Sequence, residues 1–370
     1  LRIVKYRGSA HGTNEYPFLI DEEGISVLPI TASGLDYPVS NERMPTGVQG
    51  LDEMLGGRGY YRGSTVLLTG TAGTGKTSIA AQFAETTCQR GEKCLYFSFE
   101  ESEAQILRNM RSIGIRLERF TKTKLLKFYT TRPTVHGLEM HLVQMHKLIE
   151  EFKPSVVIVD PVSNMRAAGT LTDSTNMLIR LVDFLRRKRI LGFLISLNNT
   201  AQCLESTEEG LSSIVDSWLL LRDVEFNGER NRLLYILKSR GMAHSNQTRE
   251  FLITDQGVVL RDVYVGPGGV LTGSARLTRE AEEEAARLAR QQEIERHQRD
   301  LERQRARLEA KITELRDEFA AREADTLALI VREQAREKVL RQGRDAMARS
   351  RKADNQAAAN ATGGTHDPAP

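Results

Sequence analysis

Short apolar runs rich in β-formers recur through residues 43–262, at 66–69, 94–99, 125–129, 156–159, 193–197, 218–221 and 233–237. Between several of them the apolar positions take helical spacing, at 77–90, 102–113, 136–152 and 175–189. Continuous apolar strands alternating with helices predict a mostly parallel central sheet covered on both faces, an α/β domain. After Gly273 the pattern changes. Residues 274–342 contain no Gly and no Pro and are dense in Arg, Glu, Ala and Gln. One long α-helix follows, roughly 100 Å at ~1.5 Å per residue. Within 279–345, Ile294, Leu301, Leu308 and Leu315 recur every seven residues, and Ile312 and Phe319 lie on the adjoining seam. That is a coiled-coil stripe. Gln291, Gln298 and Arg305 fall where the second seam should be apolar, so the first half is under-packed; Leu327, Leu329, Ile330 and Val331 strengthen the far half. Residues 263–278 are expected to form a connecting loop, and 346–370 a disordered tail.

An internal repeat sits at the start of the chain. Lys5, Arg7, Gly8, Ala10, His11, Phe18, Leu19, Ile20 and Gly24 match Lys238, Arg240, Gly241, Ala243, His244, Phe251, Leu252, Ile253 and Gly257 in one ungapped register. Residues 1–30 are therefore expected to be the closing segment of a preceding copy of the same domain, with 31–42 as the linker. The first residue is Leu1, which fits a piece of a longer tandem protein.

Composition narrows the classes. The net charge of +3 makes no case for a nucleic-acid partner. Cys88, Cys94 and Cys203 are sparse and lack paired spacing, so free thiols in a reducing, cytoplasmic setting are expected, with neither a zinc site nor a disulfide frame. No apolar run approaches 18 residues, and neither a membrane span nor a signal peptide is expected.

The chemistry begins at Gly70-Thr71-Ala72-Gly73-Thr74-Gly75-Lys76-Thr77, a GxxxxGK[ST] loop after an apolar strand and before a helix. Its glycines let backbone N–H groups cradle phosphates, and the helix N-terminus adds a favourable dipole. Lys76 is expected to reach the β- and γ-phosphates of ATP, and Thr77 to hold Mg²⁺. Val156-Val-Ile-Val-Asp160 reads as a strand whose terminal carboxylate supports the metal. The strand 94–99 ends in Glu100-Glu101 and is expected to neighbour the P-loop strand. Glu100 or Glu101 then serves as the base, beside the γ-phosphate. Together these features read as a RecA-like P-loop NTPase.

The same chain resembles the KaiC family, the ATPases and autokinases of the cyanobacterial circadian clock, and in particular the second domain of that family. The resemblance rests on Pro45-Thr-Gly-Val-Gln-Gly-Leu51-Asp52-Glu-Met-Leu-Gly56-Gly57, the P-loop, Phe99-Glu100-Glu101-Ser102, the Asp160 strand, Lys238-Ser-Arg240-Gly241-x-x-His244, Arg249-Glu250-Phe251-Leu-Ile and Leu271-Thr-Gly273-Ser274. It covers about residues 1–277. It implies a homohexameric ring with ATP between subunits, where Lys238, Arg240 and His244 of one chain complete the next chain's site. It implies phosphoacceptors at Ser212 and Ser213, with Thr207 also matched. It implies slow hydrolysis, autophosphatase activity and a KaiB-like protein partner. Three departures stand out: Ser213 where the family has Thr, Pro161 where it has Ser, and a long helix where it has the short tail bound by an activator. The helix is expected to pair two rings. Two rival functions share the P-loop: a RecA- or DnaB-like DNA-dependent ATPase, and a non-catalytic scaffold assembled by ATP. Against the first, residues 279–349 balance 17 Lys and Arg with 17 Asp and Glu, and no basic loop rich in aromatics or glycine is present to line a DNA channel.

Overall fold

The computed structural model describes residues 1–11, 16, 18–21, 24–27, 39–198, 211–226, 228–266 and 269–360. Cys203, Thr207 and residues 361–370 lie outside these. The chain divides into two compact units after Glu280.

The first unit opens with the hairpin β1 (Phe18–Asp21) and β2 (Gly24–Val27), followed by the short pair β3 (Arg43–Met44) and β4 (Tyr60–Tyr61) around α1 (Gln49–Met54). Then come β5 (Thr65–Gly70), α2 (Lys76–Gln89), β6 (Cys94–Ser98), α3 (Glu103–Ser112), α4 (Glu118–Lys122), β7 (Leu126–Thr130), α5 (Leu138–Phe152) and β8 (Val156–Asp160). They are followed by α6 (Leu171–Arg187), β9 (Leu191–Leu197), β10 (Ser217–Phe226), β11 (Glu229–Ser239), β12 (Arg249–Thr254), β13 (Gly257–Asp262), β14 (Tyr264–Gly266) and β15 (Gly269–Leu271). The last element, α7 (Gly273–Asn360), continues into the second unit.

One nine-stranded sheet organises the domain, in the order β13-β12-β11-β10-β5-β9-β8-β6-β7. The pairings from β10 to β7 are parallel, and β11, β12 and β13 add an antiparallel flank. Strand period two splits the core into two layers. Val66, Leu68, Tyr96, Ile158 and Phe193 pack on one face with Phe83 of α2. Leu67, Phe97, Val159 and Leu194 pack on the other with Leu142 of α5 and Leu181 of α6.

The structure corrects one expectation. The acid-tipped strand β6 is not beside the P-loop strand β5; β9 and β8 lie between them. The local apolar pattern of a buried strand carries no information on lateral order, which is set when later segments insert beside β5. The consequence for the site is small, because β6 pairs directly with β8, with Ser98 opposite Asp160. Element ends moved for local reasons. Ser102 and Thr170 each form a capping box, with Gln105 and Asp173, so α3 and α6 start directly after them. The expected loop at 263–278 contains the β14–β15 hairpin and the first turn of α7. Part of the expected tail, 346–360, is helical. Ala346, Ala348, Ala353 and Ala357–Ala359 favour that outcome, Ala being the strongest helix former.

The two copies of the internal repeat adopt the same hairpin register. Phe18 pairs with Val27 and Asp21 with Gly24, as Phe251 pairs with Leu260 and Thr254 with Gly257. Gly24 and Gly257 turn with φ of 108° and 100°, a conformation that favours glycine.

The root of α7 is held within the first unit. Glu250, 2% exposed, accepts from the Gly273 N–H at 2.8 Å and pairs with Arg276 at 3.4 Å. Glu229 accepts from the Ser274 N–H at 3.1 Å. In the second unit every described side chain of 281–351 is exposed. Ile294, Leu301, Leu308 and Leu315 are each more than half exposed. Among the described residues no helix is long and apolar enough to cross a membrane.

Candidate functional site

β5 ends at Gly70 and α2 begins at Lys76, so the sequence motif forms the strand-to-helix turn it requires. Gly70, Gly73 and Gly75 have φ of 157°, 81° and 99°. Two of them also have no room for a side chain. A Cβ on Gly70 would lie 2.5 Å from the Leu221 carbonyl, and one on Gly75 would lie 2.7 Å from the Phe251 ring. The Lys76 ammonium turns into the loop, donating to the carbonyls of Gly70 at 2.9 Å and Thr71 at 2.6 Å. Burial lowers its pKa to about 8, against the opposing pull of the Asp160 and Glu100 carboxylates. Thr74 closes the turn with a 2.9 Å bond to the Thr71 carbonyl, while Ala72 is exposed.

Thr77 Oγ1 donates to Asp160 Oδ2 at 2.9 Å, and the buried Tyr96 hydroxyl donates to the same oxygen at 2.7 Å. Burial raises the Asp160 pKa to about 6, although both hydrogen bonds favour the carboxylate. Thr77 and Asp160 thus bring two hard oxygen donors together. That set suits Mg²⁺, which takes one or two protein oxygens and completes its shell with phosphate and water. The Asp160–Pro161 bond is cis.

Glu100 and Glu101 differ in surroundings. Glu100 is exposed, accepts from Asn164 Nδ2 at 2.9 Å, and acts electrostatically on both Lys76 and Asp160. Glu101 is turned toward α3, where Asn109 Nδ2 donates to it at 3.2 Å.

The remaining predicted residues lie at the other edge of the sheet. Ser212 and Ser213 form a short 3-10 turn, Leu211–Ser213, just before β10. β10 runs parallel to β5 with Ser217 opposite Val66 and Leu221 opposite Gly70. The serines are therefore at the amino edge and the P-loop at the carboxyl edge. The length of β5 separates them, roughly 16 Å at ~3.3 Å per residue. Lys238 near the end of β11 and Arg240 just past it lie at the serine edge, donating to the carbonyls of Ser212 at 2.7 Å and Ser213 at 2.8 Å. Burial lowers the Lys238 pKa, and nearby Arg240 adds to that effect. His244 is exposed in the loop that follows.

Sequence reasoning missed Tyr96, Asn164 and Arg186. Tyr96 carried a signal, since a tyrosine within an apolar strand needs a partner for its hydroxyl. Asn164 and Arg186 carried none.

A mostly parallel sheet with the P-loop on a central strand and the Asp160 carboxylate two strands away defines a RecA-like P-loop ATPase. The comparisons refine this. The family model described as "ATPase: KaiC" matches residues 44–263. A protein named "Circadian clock protein KaiC2" from Synechocystis sp. is 49% identical over 353 residues, 95% of this chain and 62% of the relative. The "Circadian clock oscillator protein KaiC" of Parathermosynechococcus lividus is 38% identical over 277 residues, 74% of this chain and 51% of the relative. That of Thermostichus vulcanus is 38% identical over 294 residues, 78% of this chain and 56% of the relative. The chain belongs to the KaiC family of ATPases. It spans about half to three-fifths of the length of these relatives.

Proposed function

We propose that this chain is an ATP-hydrolysing self-kinase that works between subunits of a homohexameric ring, within a timekeeping system like that named for its relatives. The observation that carries this reading is the opposition of the two edges. The P-loop ends β5, and Ser212 and Ser213 lie about one strand length away, past its start. No rotamer change spans that distance, so a chain cannot phosphorylate its own serines. Head-to-tail packing solves the problem, bringing one chain's amino edge against the next chain's carboxyl edge, and such packing forms a ring where the rotation closes.

In this reading the loop 70–77 holds the phosphates of ATP. Thr77 and Asp160 would hold Mg²⁺, which would supply neutralising charge to the phosphates. Lys238, Arg240 and His244 of the adjacent chain approach the γ-phosphate. Of the two acids, Glu100 is the better placed base: it removes the serine proton as the Oγ–P bond forms and ADP departs. With water in place of serine, the same arrangement hydrolyses ATP. Reversal, with ADP as acceptor, gives the autophosphatase direction. A KaiB-like protein is the proposed partner. The exposed stripe of α7 is proposed to pair with a second ring as a coiled coil, because such a stripe is covered only by another helix.

The test is mass spectrometry after incubation with Mg·ATP. The wild type should gain up to two phosphates per chain, confined to Ser212 and Ser213. Ser212→Ala/Ser213→Ala should gain none while continuing to hydrolyse ATP. The second phosphate should appear more slowly, because each adds about −1.5 to −2 charges and the residues are adjacent. Full phosphorylation of the double variant would move the acceptors elsewhere. No phosphorylation of the wild type, with ATP-dependent assembly intact, would favour the scaffold.

A further inference from the structure

Three consecutive backbone carbonyls in the acceptor segment are each taken by a different cation. Lys238 donates to Ser212 at 2.7 Å, Arg240 to Ser213 at 2.8 Å, and Arg186 to Ile214 at 2.5 Å. Carbonyls at the end of a short helical turn have no partner within the turn and must find one outside it. Lys238 and Arg240 leave the end of β11 that, in the self-kinase reading, faces the neighbour's nucleotide. Arg186 comes from the last turn of α6 and is committed to its own chain. The same Nη2 that holds Ile214 reaches both Asp216 carboxylate oxygens, at 3.2 and 3.1 Å. Asp216 is itself fixed to the start of the P-loop strand. Its carboxylate accepts from the Thr65 N–H at 2.8 Å, and its backbone N–H donates to the Thr65 carbonyl at 2.9 Å. Its carbonyl accepts from the Arg240 N–H at 2.8 Å. The Arg186 side chain is only one-fifth exposed.

We propose that Arg186 is a positioning residue for phosphotransfer. By tying the Ile214 carbonyl to Asp216, and through Asp216 to the fixed end of β5, it holds the Ser212–Ser213 turn in one geometry. The two hydroxyls are then presented to the neighbouring site with a defined direction. In-line transfer depends steeply on that direction, and an error near 1 Å costs up to ~10²-fold. Arg186 bonds neither the P-loop nor Thr77 and Asp160, and reaches Arg240 only through Asp216, so hydrolysis by water depends on it far less than transfer to serine does. One nitrogen, Nη2, makes all three contacts, so the three donors of a lysine ammonium can replace part of them. The proposal rests on the self-kinase reading above and extends it to the residue that aims the acceptor.

The experiment uses the full chain as wild type, Arg186→Gln and Arg186→Lys. Site-resolved phosphorylation and ATP hydrolysis are measured in the same Mg·ATP reaction. Hydrogen exchange is followed without nucleotide. Arg186→Gln should phosphorylate Ser212 and Ser213 roughly tenfold more slowly or worse, with an altered ratio between the sites. Its ATP hydrolysis should stay within about twofold of wild type. Exchange should rise at 211–216 and not elsewhere. Arg186→Lys should recover part of the rate. Wild-type phosphorylation rates in Arg186→Gln, or equal losses of phosphorylation and hydrolysis, would overturn the proposal. If the wild type takes up no phosphate, the self-kinase reading fails by itself. The phosphotransfer role of Arg186 then falls with it, and exchange at 211–216 decides only whether Arg186 braces the turn.

Discussion

Lys76→Ala is expected to lose ATP hydrolysis by about two to three orders of magnitude, as when one preorganised charge stabiliser is removed from a transition state. The same variant should lose the ring. Nucleotide bound only by the assembled interface stabilises it by about 4 kcal/mol when present at a thousand times its dissociation constant. Without the Lys76 ammonium that contribution falls away. The fold should survive, because the ammonium donates to the carbonyls of Gly70 and Thr71 and leaves no buried cation unpaired when it goes. Size-exclusion chromatography with light scattering, run with and without ATP, reads the assembly directly. Stable hexamers of Lys76→Ala, or of nucleotide-free wild type, would contradict an interfacial site.

Removing the arm should halve the assembly. The choice of cut follows from the structure. A chain ending at Gly273 would strip Arg276 from Glu250 and leave a carboxylate that is 2% exposed without its cation. Orphaning a buried charge in this way costs about 3–5 kcal/mol. A chain ending at Glu280 keeps the Arg276–Glu250 and Arg276–Glu280 pairs. That truncation should fall from about twelve chains to about six by light scattering, since helices with a seven-residue apolar repeat associate through that stripe. Its phosphorylation rate is expected to change as well. An unchanged mass would leave α7 as an arm for some other partner.

The parts of this account that were legible in the sequence share a cause. The P-loop was readable because Gly70, Gly73 and Gly75 adopt backbone conformations that favour glycine, and Gly70 and Gly75 also meet neighbours that exclude a Cβ. The buried strands were readable because β5, β6 and β8 are apolar along their length. The repeat was readable because one hairpin register imposes one residue pattern twice. Strand order was not, since nothing local to residues 94–99 records that β8 and β9 come between β6 and β5. Arg186 was not, because among its partners is the backbone of Ile214, which no side chain announces. Glu100 and Glu101 could not be told apart in sequence. Only the fold turns one toward Asn164 and the other toward Asn109.

In the proposed reaction phosphate passes from one chain's P-loop to the next chain's serines. Mixing two inactive partners isolates that transfer. Lys76→Ala chains have acceptors and no working P-loop, and Ser212→Ala/Ser213→Ala chains have a P-loop and no acceptors. Neither should gain phosphate alone. After mixing in Mg·ATP, a Lys76→Ala chain can still dock its serine edge on the partner variant's intact P-loop, and phosphate is expected on Ser212 and Ser213 of the Lys76→Ala chains, distinguished by mass from their partners. Phosphate absent from those chains, with mixed rings verified and the wild type active in parallel, would contradict transfer between subunits.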